Sequence, residues 1–237
     1  MSAPFRIVLD GLCQRYGDRT VLDIDSLEFD SGRSYALLGA NGSGKSTLLK
    51  ILSGVLEATG GCVDVAGERS RGDISVGYMP QDSFVFGFSV LRNVEMAARD
   101  AGLGREEVRR RAIGALAAVG MDNMLDARGN SLSGGEAQRV SLARILVRDL
   151  DVVLLDEPTS ALDVAGTQMI EDALRAYRER TGCLLIAATH APSQARRISD
   201  SVLVLDKGEV VGFGETDDVL LGSADNRVRT FLSHWQV

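Results

Sequence analysis

The 237-residue sequence is short of several things. It has 4 prolines, 3 lysines among its 26 basic residues, and 3 cysteines. With so little proline and no Gly/Ser-rich or single-sign tract, long linkers and disorder are excluded. No stretch repeats with a period of roughly 20–50 residues, which excludes a solenoid. No apolar run approaches the ~18 residues that a helical membrane span needs; the runs are short, such as Cys183 to Ala188. A chain of this kind that serves a membrane would sit on its surface and bind a partner that spans. Basic charge is also missing. The formal net charge is −7, which disfavours broad binding to nucleic acid. The one local exception, Arg109, Arg110 and Arg111, falls in a helix-like stretch and reads as a solvated face. Cys13, Cys62 and Cys183 are scattered, odd in number and match no metal-site spacing. They suit a reducing compartment and read as small buried residues. Residues 1–30 carry charges throughout, so no signal peptide is expected. What is present, 45% hydrophobic and 25% charged residues, is ordinary for a globular protein able to bury one large core or two small ones.

Residues 5–9 and 21–29 read as strands around a turn at Tyr16-Gly17-Asp18. Ser34 to Leu38 is an apolar strand, and a helix is expected from about Lys45 to Ser53 with Gly54 as its C-cap. Further strands are expected near 61–66 and 74–79. Residues 90–148 carry helical periodicity with breaks near Gly102 and Gly129. Val152 to Leu155 is a continuous apolar run, typical of a parallel strand buried on both faces. A helix at 167–180, a strand at 183–188, a helix at 192–199 and a strand at 201–205 follow. This alternation predicts an α/β fold with a mainly parallel sheet, an antiparallel β part at the N-terminus, and a helical subdomain inserted at about 90–148.

The densest chemistry lies just after the strand 34–38. Gly39, Ala40, Asn41, Gly42, Ser43, Gly44, Lys45, Ser46 and Thr47 match the P-loop pattern GxxxxGK[ST], with a strand before and a helix after. Glycines let backbone N–H groups turn inward around phosphate oxygens, and the helix N-terminus adds positive potential. Lys45 is suited to β- and γ-phosphates, and the Ser46 hydroxyl to Mg²⁺. Asp156 and Glu157 end the apolar run at 152–155. Asp156 fits the carboxylate that holds Mg²⁺. Glu157, next to it, fits the general base for an attacking water.

At Leu132-Ser133-Gly134-Gly135-Glu136-Ala137-Gln138 the sequence closely resembles the ABC ATPase family, since this stretch matches the family's signature. It opens a helix running to about Arg148. Ser133 and the amides of Gly134 and Gly135 then form a second anion site, while Ser133 and Glu136 also score as a capping box. The resemblance spans about residues 5–220 and implies a P-loop NTPase fold and further roles. Tyr16 looks like the aromatic that stacks on adenine, and Gln81 like the Q-loop glutamine that contacts Mg²⁺ and senses a transmembrane partner. Ser160-Ala161-Leu162-Asp163 matches the D-loop, with Val164 where proline is common. His190 looks like the switch histidine at the γ-phosphate. His234 has no such context and reads as a surface residue. Phe84, Phe86 and Phe88 follow the Q-loop, where the family receives a coupling helix from its membrane partner. Their alternate spacing equally suits a buried strand face.

The resemblance therefore implies an ATPase using ATP and Mg²⁺, with Glu157, His190 and Lys45 catalytic. One P-loop and one signature per chain imply a dimer, with a second copy or a homologous ATPase chain, that sandwiches ATP. The implied partners are a transmembrane permease and a substrate-binding protein, with no nucleic acid. The implied place is the cytoplasmic face of the cell membrane, peripheral to it. The stretch Gln194-Ala195-Arg196-Arg197 looks similar to anion or amino-acid import ATPases, and no extra C-terminal regulatory domain of the kind some importers carry is expected. The alternatives are a cytosolic ABC ATPase acting on a soluble scaffold, as in iron–sulfur cluster assembly, or an exporter. Repair and translation types fit less well, because neither a long coiled-coil insertion nor a second cassette is seen.

Overall fold

The computed structural model describes residues 4–99 and 102–233, so His234 lies outside the described residues. Two compact units can be described separately. The first takes in residues up to 78, then 151–157 and 182 onward; the second takes in 79–150 and 158–181.

In the first unit, β1 (Phe5–Tyr16), β2 (Arg19–Asp30) and β4 (Gly60–Gly67) form an antiparallel sheet in the order β2-β1-β4. Both long strands outrun the expected 5–9 and 21–29 and meet at a tight turn, with Tyr16 opposite Arg19. Cys62 on β4 is exposed and Cys13 half-buried; only Cys183 is buried as expected. The reason is alternation: Val63 turns into the core, so its neighbours Cys62 and Asp64 face solvent.

The second sheet runs β5-β6-β7-β3-β8-β9, built from β3 (Ser34–Leu38), β5 (Val76–Met79), β6 (Val152–Asp156), β7 (Leu184–Ala188), β8 (Ser201–Asp206) and β9 (Glu209–Glu215). The pairs β6–β7, β7–β3 and β3–β8 are parallel, while β8–β9 is antiparallel. Every residue of β3, β6 and β7 is buried, as uninterrupted apolar runs in a doubly covered sheet demand. On one face, Leu37, Val152, Leu154 and Ile186 pack with Leu48 and Leu49 of α1 (Lys45–Leu52) and with the first sheet. On the other, Ala36, Leu38, Val202 and Val204 pack with Ala195 of α6 (Pro192–Ile198) and with Val219 and Val228 of α7 (Thr216–Gly222) and α8 (Asn226–Ser233). α1 ends where Gly54, at φ 75°, sends its N–H back to the Ile51 carbonyl.

The second unit holds α2 (Val90–Ala97), α3 (Arg105–Ala118), α4 (Gly134–Leu146) and α5 (Val164–Thr181). α5 begins before the expected 167 because Asp163 Oδ1 accepts the Gly166 N–H at 2.7 Å and caps the first turn. Arg109, Arg110 and Arg111 form the solvated face that was expected, paired with Glu95, Glu107 and Asp149.

Candidate nucleotide site

The strand β3 delivers the chain into the Gly39–Thr47 loop, and α1 takes it away. Gly39 is required where it stands: at φ 151°, a Cβ would lie 2.3 Å from the Leu205 carbonyl. Gly44, the N-cap of α1, sits at φ 110° and makes no side-chain cap. The first N–H groups of α1 are thus left for an incoming acceptor, at the positive end of the helix. The loop is braced from below, Ser43 N–H to the Ala40 carbonyl and Gly208 N–H to the Ser43 carbonyl. Lys45 lies across the loop. Its Nζ donates to the carbonyls of Gly39 at 2.7 Å and Ala40 at 3.1 Å. Burial lowers the pKa of this ammonium, against the opposing pull of Glu157 and Asp156. A buried cation held only by carbonyls is poised to gain from a phosphate.

Asp156, the last residue of β6, is buried, and its Oδ1 has no hydrogen-bond partner. An unmet carboxylate oxygen in the interior is costly unless a cation or donor reaches it, so the oxygen set of Asp156 and the half-buried Ser46 fits a hard divalent ion. Glu157 follows at φ 52°, one of two described non-glycine residues with positive φ. Such a conformation costs ~1–2 kcal/mol and is pinned by the Glu157 N–H bonding to the Ala188 carbonyl at 3.0 Å. The turn carries the Glu157 carboxylate to His190, whose Nδ1 lies 2.9 Å from Oε2 and 3.0 Å from Oε1. Thr189, which precedes His190, fixes this loop: its Oγ1 accepts the Ala191 N–H and donates to Gln194. The first unit thereby brings Lys45, Ser46, Asp156, Glu157 and His190 onto its strand ends and P-loop. Tyr16 is exposed at the end of β1.

In the second unit, Ser133 is the N-cap of α4. Its Oγ accepts the Glu136 N–H, and both its N–H and Oγ–H donate to Glu136 Oε2, at 2.8 and 2.7 Å. The Ser133 backbone bond leads the hydrogen bonds that hold the Glu136 carboxyl below the usual range. Further along α4, the buried Gln138 accepts the Ala161 N–H and donates to Ser160 Oγ. A Cβ on Gly135 would meet the Ala161 carbonyl at 3.0 Å. The signature helix and the 160–163 loop are thus locked together. Asp163 serves as the cap of α5. Gln81 lies exposed, beyond the end of β5.

A sequence model described as ABC transporter matches residues 22–160. A "probable anion import ATP-binding protein" of Haloferax volcanii is 37% identical over 249 residues, covering 96% of this chain and 86% of its own.

The chain belongs to the ABC transporter family.

It is an ATPase cassette of that family. A thiamine import ATP-binding protein of Jannaschia sp. is 42% identical over 191 residues, 78% of this chain and 83% of its own. Among solved structures, a dimeric ATP-binding cassette in a post-hydrolysis state with ADP and Pi superposes with a TM-score of 0.78 at 26% identity. That match covers 89% of this chain and 98% of the other.

Within this ABC cassette the structure adds three things that the residue pattern did not carry. The backbone of Glu157 is left-handed. The hydroxyl of Tyr78, on β5, is buried without a partner, and its pKa is pushed up to about 12 by burial and then by the Asp156 charge. The Phe84–Phe88 segment is not a buried strand face. It is an irregular loop with Phe84 65% and Phe88 41% exposed. Its shape is imposed from beneath by Asn93, which bonds the N–H and carbonyl of Phe86 and the Ser89 carbonyl, and by Arg144, which donates to the Phe84 carbonyl. The Phe86 ring packs against those of Phe84 and Phe88, with centroids 5.1 and 6.0 Å apart.

Proposed function

We propose that residues 1–237 form one ABC ATPase domain, with a helical subdomain inserted at about 90–148, that powers import of a small solute, of anion type, through a separate permease. In this reading the chain lies on the cytoplasmic face of the cell membrane and works as one half of an ATP-sandwich dimer. A substrate-binding protein delivers the solute. The observation that carries the reading is one bare phosphate cradle at Gly39–Thr47 and one signature helix N-terminus at Ser133 on a single chain. The printed names of the Haloferax and Jannaschia relatives support the import direction, and the Haloferax name alone supports an anion as the solute.

The mechanism follows from the geometry of each part. Tyr16 stacks on adenine. The amides of Gly39 to Thr47 and the Lys45 ammonium take the β- and γ-phosphates, Lys45 exchanging two carbonyls for stronger, charged acceptors. Asp156, Ser46 and Gln81 would hold Mg²⁺, which would supply neutralisation of phosphate charge. Ser133, Gly134 and Gly135 of the opposing copy offer N–H groups to the γ-phosphate, where charge develops, and Asp163 closes that interface. Glu157 orients the water and takes its proton. His190, bonded to both oxygens of Glu157, holds that carboxylate in register and faces the γ-phosphate. The aromatic loop Phe84–Phe88 presents exposed rings to the permease.

The test is Glu157→Gln. Hydrolysis should fall by about 10²- to 10⁴-fold with ATP affinity retained, and sedimentation with ATP should show a dimer. Near wild-type turnover, or a monomer at saturating ATP, would sink the assignment. Direction is read after reconstitution with the co-purifying permease. Solute movement toward the face bearing the ATPase marks an importer, movement away from it an exporter, and recovery of soluble partners alone a scaffold ATPase.

A further inference from the structure

β5 and β6 are neighbours in the large sheet, and they start together. The N–H groups of Asp151 and Val152 both donate to the Ser75 carbonyl, at 3.0 and 3.1 Å, and Ser75 N–H and Oγ bond Asp151 Oδ2 at 2.9 and 2.8 Å. From that shared start, Tyr78 and Asp156 rise toward the same edge of the sheet. They also share a face. Val76 and Tyr78 pack in the cluster that contains Val152, Leu154 and, from α1, Leu48 and Leu49. Side chains two residues apart in a strand point the same way, so Asp156 follows Val152 and Leu154 onto that face. Each of the two brings a buried polar atom without a partner, the Tyr78 hydroxyl and Asp156 Oδ1. A phenol donates and a carboxylate accepts, so each is what the other lacks.

We infer that Tyr78 is a positioning residue for Asp156: once nucleotide and divalent cation are bound, its hydroxyl donates through one water to the Asp156 carboxylate and fixes which oxygen turns to the cation. This rests on the reading of Asp156 as the residue that holds that cation. A metal-ligating carboxylate has several oxygen orientations open to it, and a neighbour that bonds one oxygen commits the other to the metal. Tyr78 sits on the strand that leads directly into Gln81, so the same strand end would set the carboxylate and start the glutamine loop. The competing account is packing alone, with Tyr78 as an aromatic wall. Phenylalanine serves that role equally well, which makes the hydroxyl separable.

The experiment compares wild type, Tyr78→Phe and Asp156→Asn in the full chain, with Mn²⁺ as probe and a non-hydrolysable ATP analogue present. Mn²⁺ affinity is measured by electron paramagnetic resonance, together with thermal unfolding of the nucleotide-free protein. For Tyr78→Phe we expect about 10-fold weaker Mn²⁺ binding and an altered Mn²⁺ spectrum. Its nucleotide-free melting temperature should be unchanged or raised, because no bond is lost there. Unchanged Mn²⁺ affinity in Tyr78→Phe, with binding lost in Asp156→Asn, overturns the inference and leaves the cation reading standing. Unchanged affinity in both variants overturns the cation reading itself. A marked fall in the melting temperature of Tyr78→Phe, with Mn²⁺ affinity intact, shows that the hydroxyl is bonded elsewhere and also overturns the inference.

Discussion

Two helices in this chain begin at sequences suited to phosphate, and they begin differently. α1 starts at Gly44 with no side-chain cap and no acidic residue in its first turn. α4 starts at Ser133 with a complete capping box closed by Glu136. The first is an anion site that stands open, its amides free of any side-chain acceptor. The second is already satisfied by its own chain, and a phosphate at Ser133 has to displace a carboxylate from the hydroxyl. The contrast teaches an order of events. On the proposed reading a nucleotide would enter at the P-loop with no side chain to displace from the α1 amides, Lys45 exchanging its two carbonyls for phosphate oxygens, while the signature end would answer only to an acceptor strong enough to replace Glu136. The open site is held open by backbone geometry, the closed site by side chains.

Removing the charge at the open site should have the largest effect of the substitutions that bear on this contrast. Lys45→Ala deletes a charge-assisted bond to phosphate worth ~1.5–3 kcal/mol, so equilibrium dialysis should show ATP binding about 10- to 100-fold weaker. Next comes Gly44→Ala. A Cβ there would stand 2.6 Å from Leu22 Cδ2 and 3.0 Å from the Val21 carbonyl, at a φ of 110°. Urea denaturation should show a loss of about 2 kcal/mol, and ATP affinity should fall with it. Ser133→Ala takes the cap from α4 and should cost about 1 kcal/mol, with slower hydrolysis and an unchanged affinity of the monomer for ATP. Were ATP affinity to fall in this variant as in Lys45→Ala, the two helix starts would not be doing different jobs.

The smallest effect concerns acid. The Glu136 carboxyl titrates below its usual value because of its bonds to Ser133. A group whose folded pKa is depressed adds stability above its unfolded pKa, near 4.3, and that stability is lost as pH falls through the folded pKa. Hydrogen exchange in the first turn of α4 should therefore quicken below about pH 4, with no matching change in the first turn of α1, and Glu136→Gln should abolish the difference.

Both helix starts were legible in the sequence, because each rests on residue types at fixed spacing: GxxxxGKS after an apolar run, and Ser133 with Glu136. The all-buried strands β3, β6 and β7 were legible for the same local reason. What escaped was set at a distance. β9, α7 and α8 were not anticipated. β9 carries Gly212 and Gly214 among its residues, and pairing with β8 rather than its own pattern makes it a strand. The alternate spacing of Phe84, Phe86 and Phe88 is a strand signal, yet Asn93 and Arg144 bend the segment into a loop from positions that no local rule connects to it. The left-handed Glu157 is invisible in a sequence because glutamate has no preference for that conformation. The bond from its N–H to Ala188, on a strand that arrives much later in the chain, pins it there. Tyr78 and Asp156 are likewise far apart in sequence, and only the pairing of β5 with β6 sets them on neighbouring strands.

The scarcity of lysine gives the protein an unusual chemical footprint. Of its three lysines, Lys50 and Lys207 are exposed and Lys45 is buried in the P-loop. Among the lysines an amine-directed reagent therefore meets two ready targets on the folded chain and one shielded target, which is the residue that would grip the phosphates. Acylation at Lys45 becomes a gauge of how often the loop opens, read by mass against Lys50 as an internal standard, and bound nucleotide should slow that one modification while leaving the other two alone.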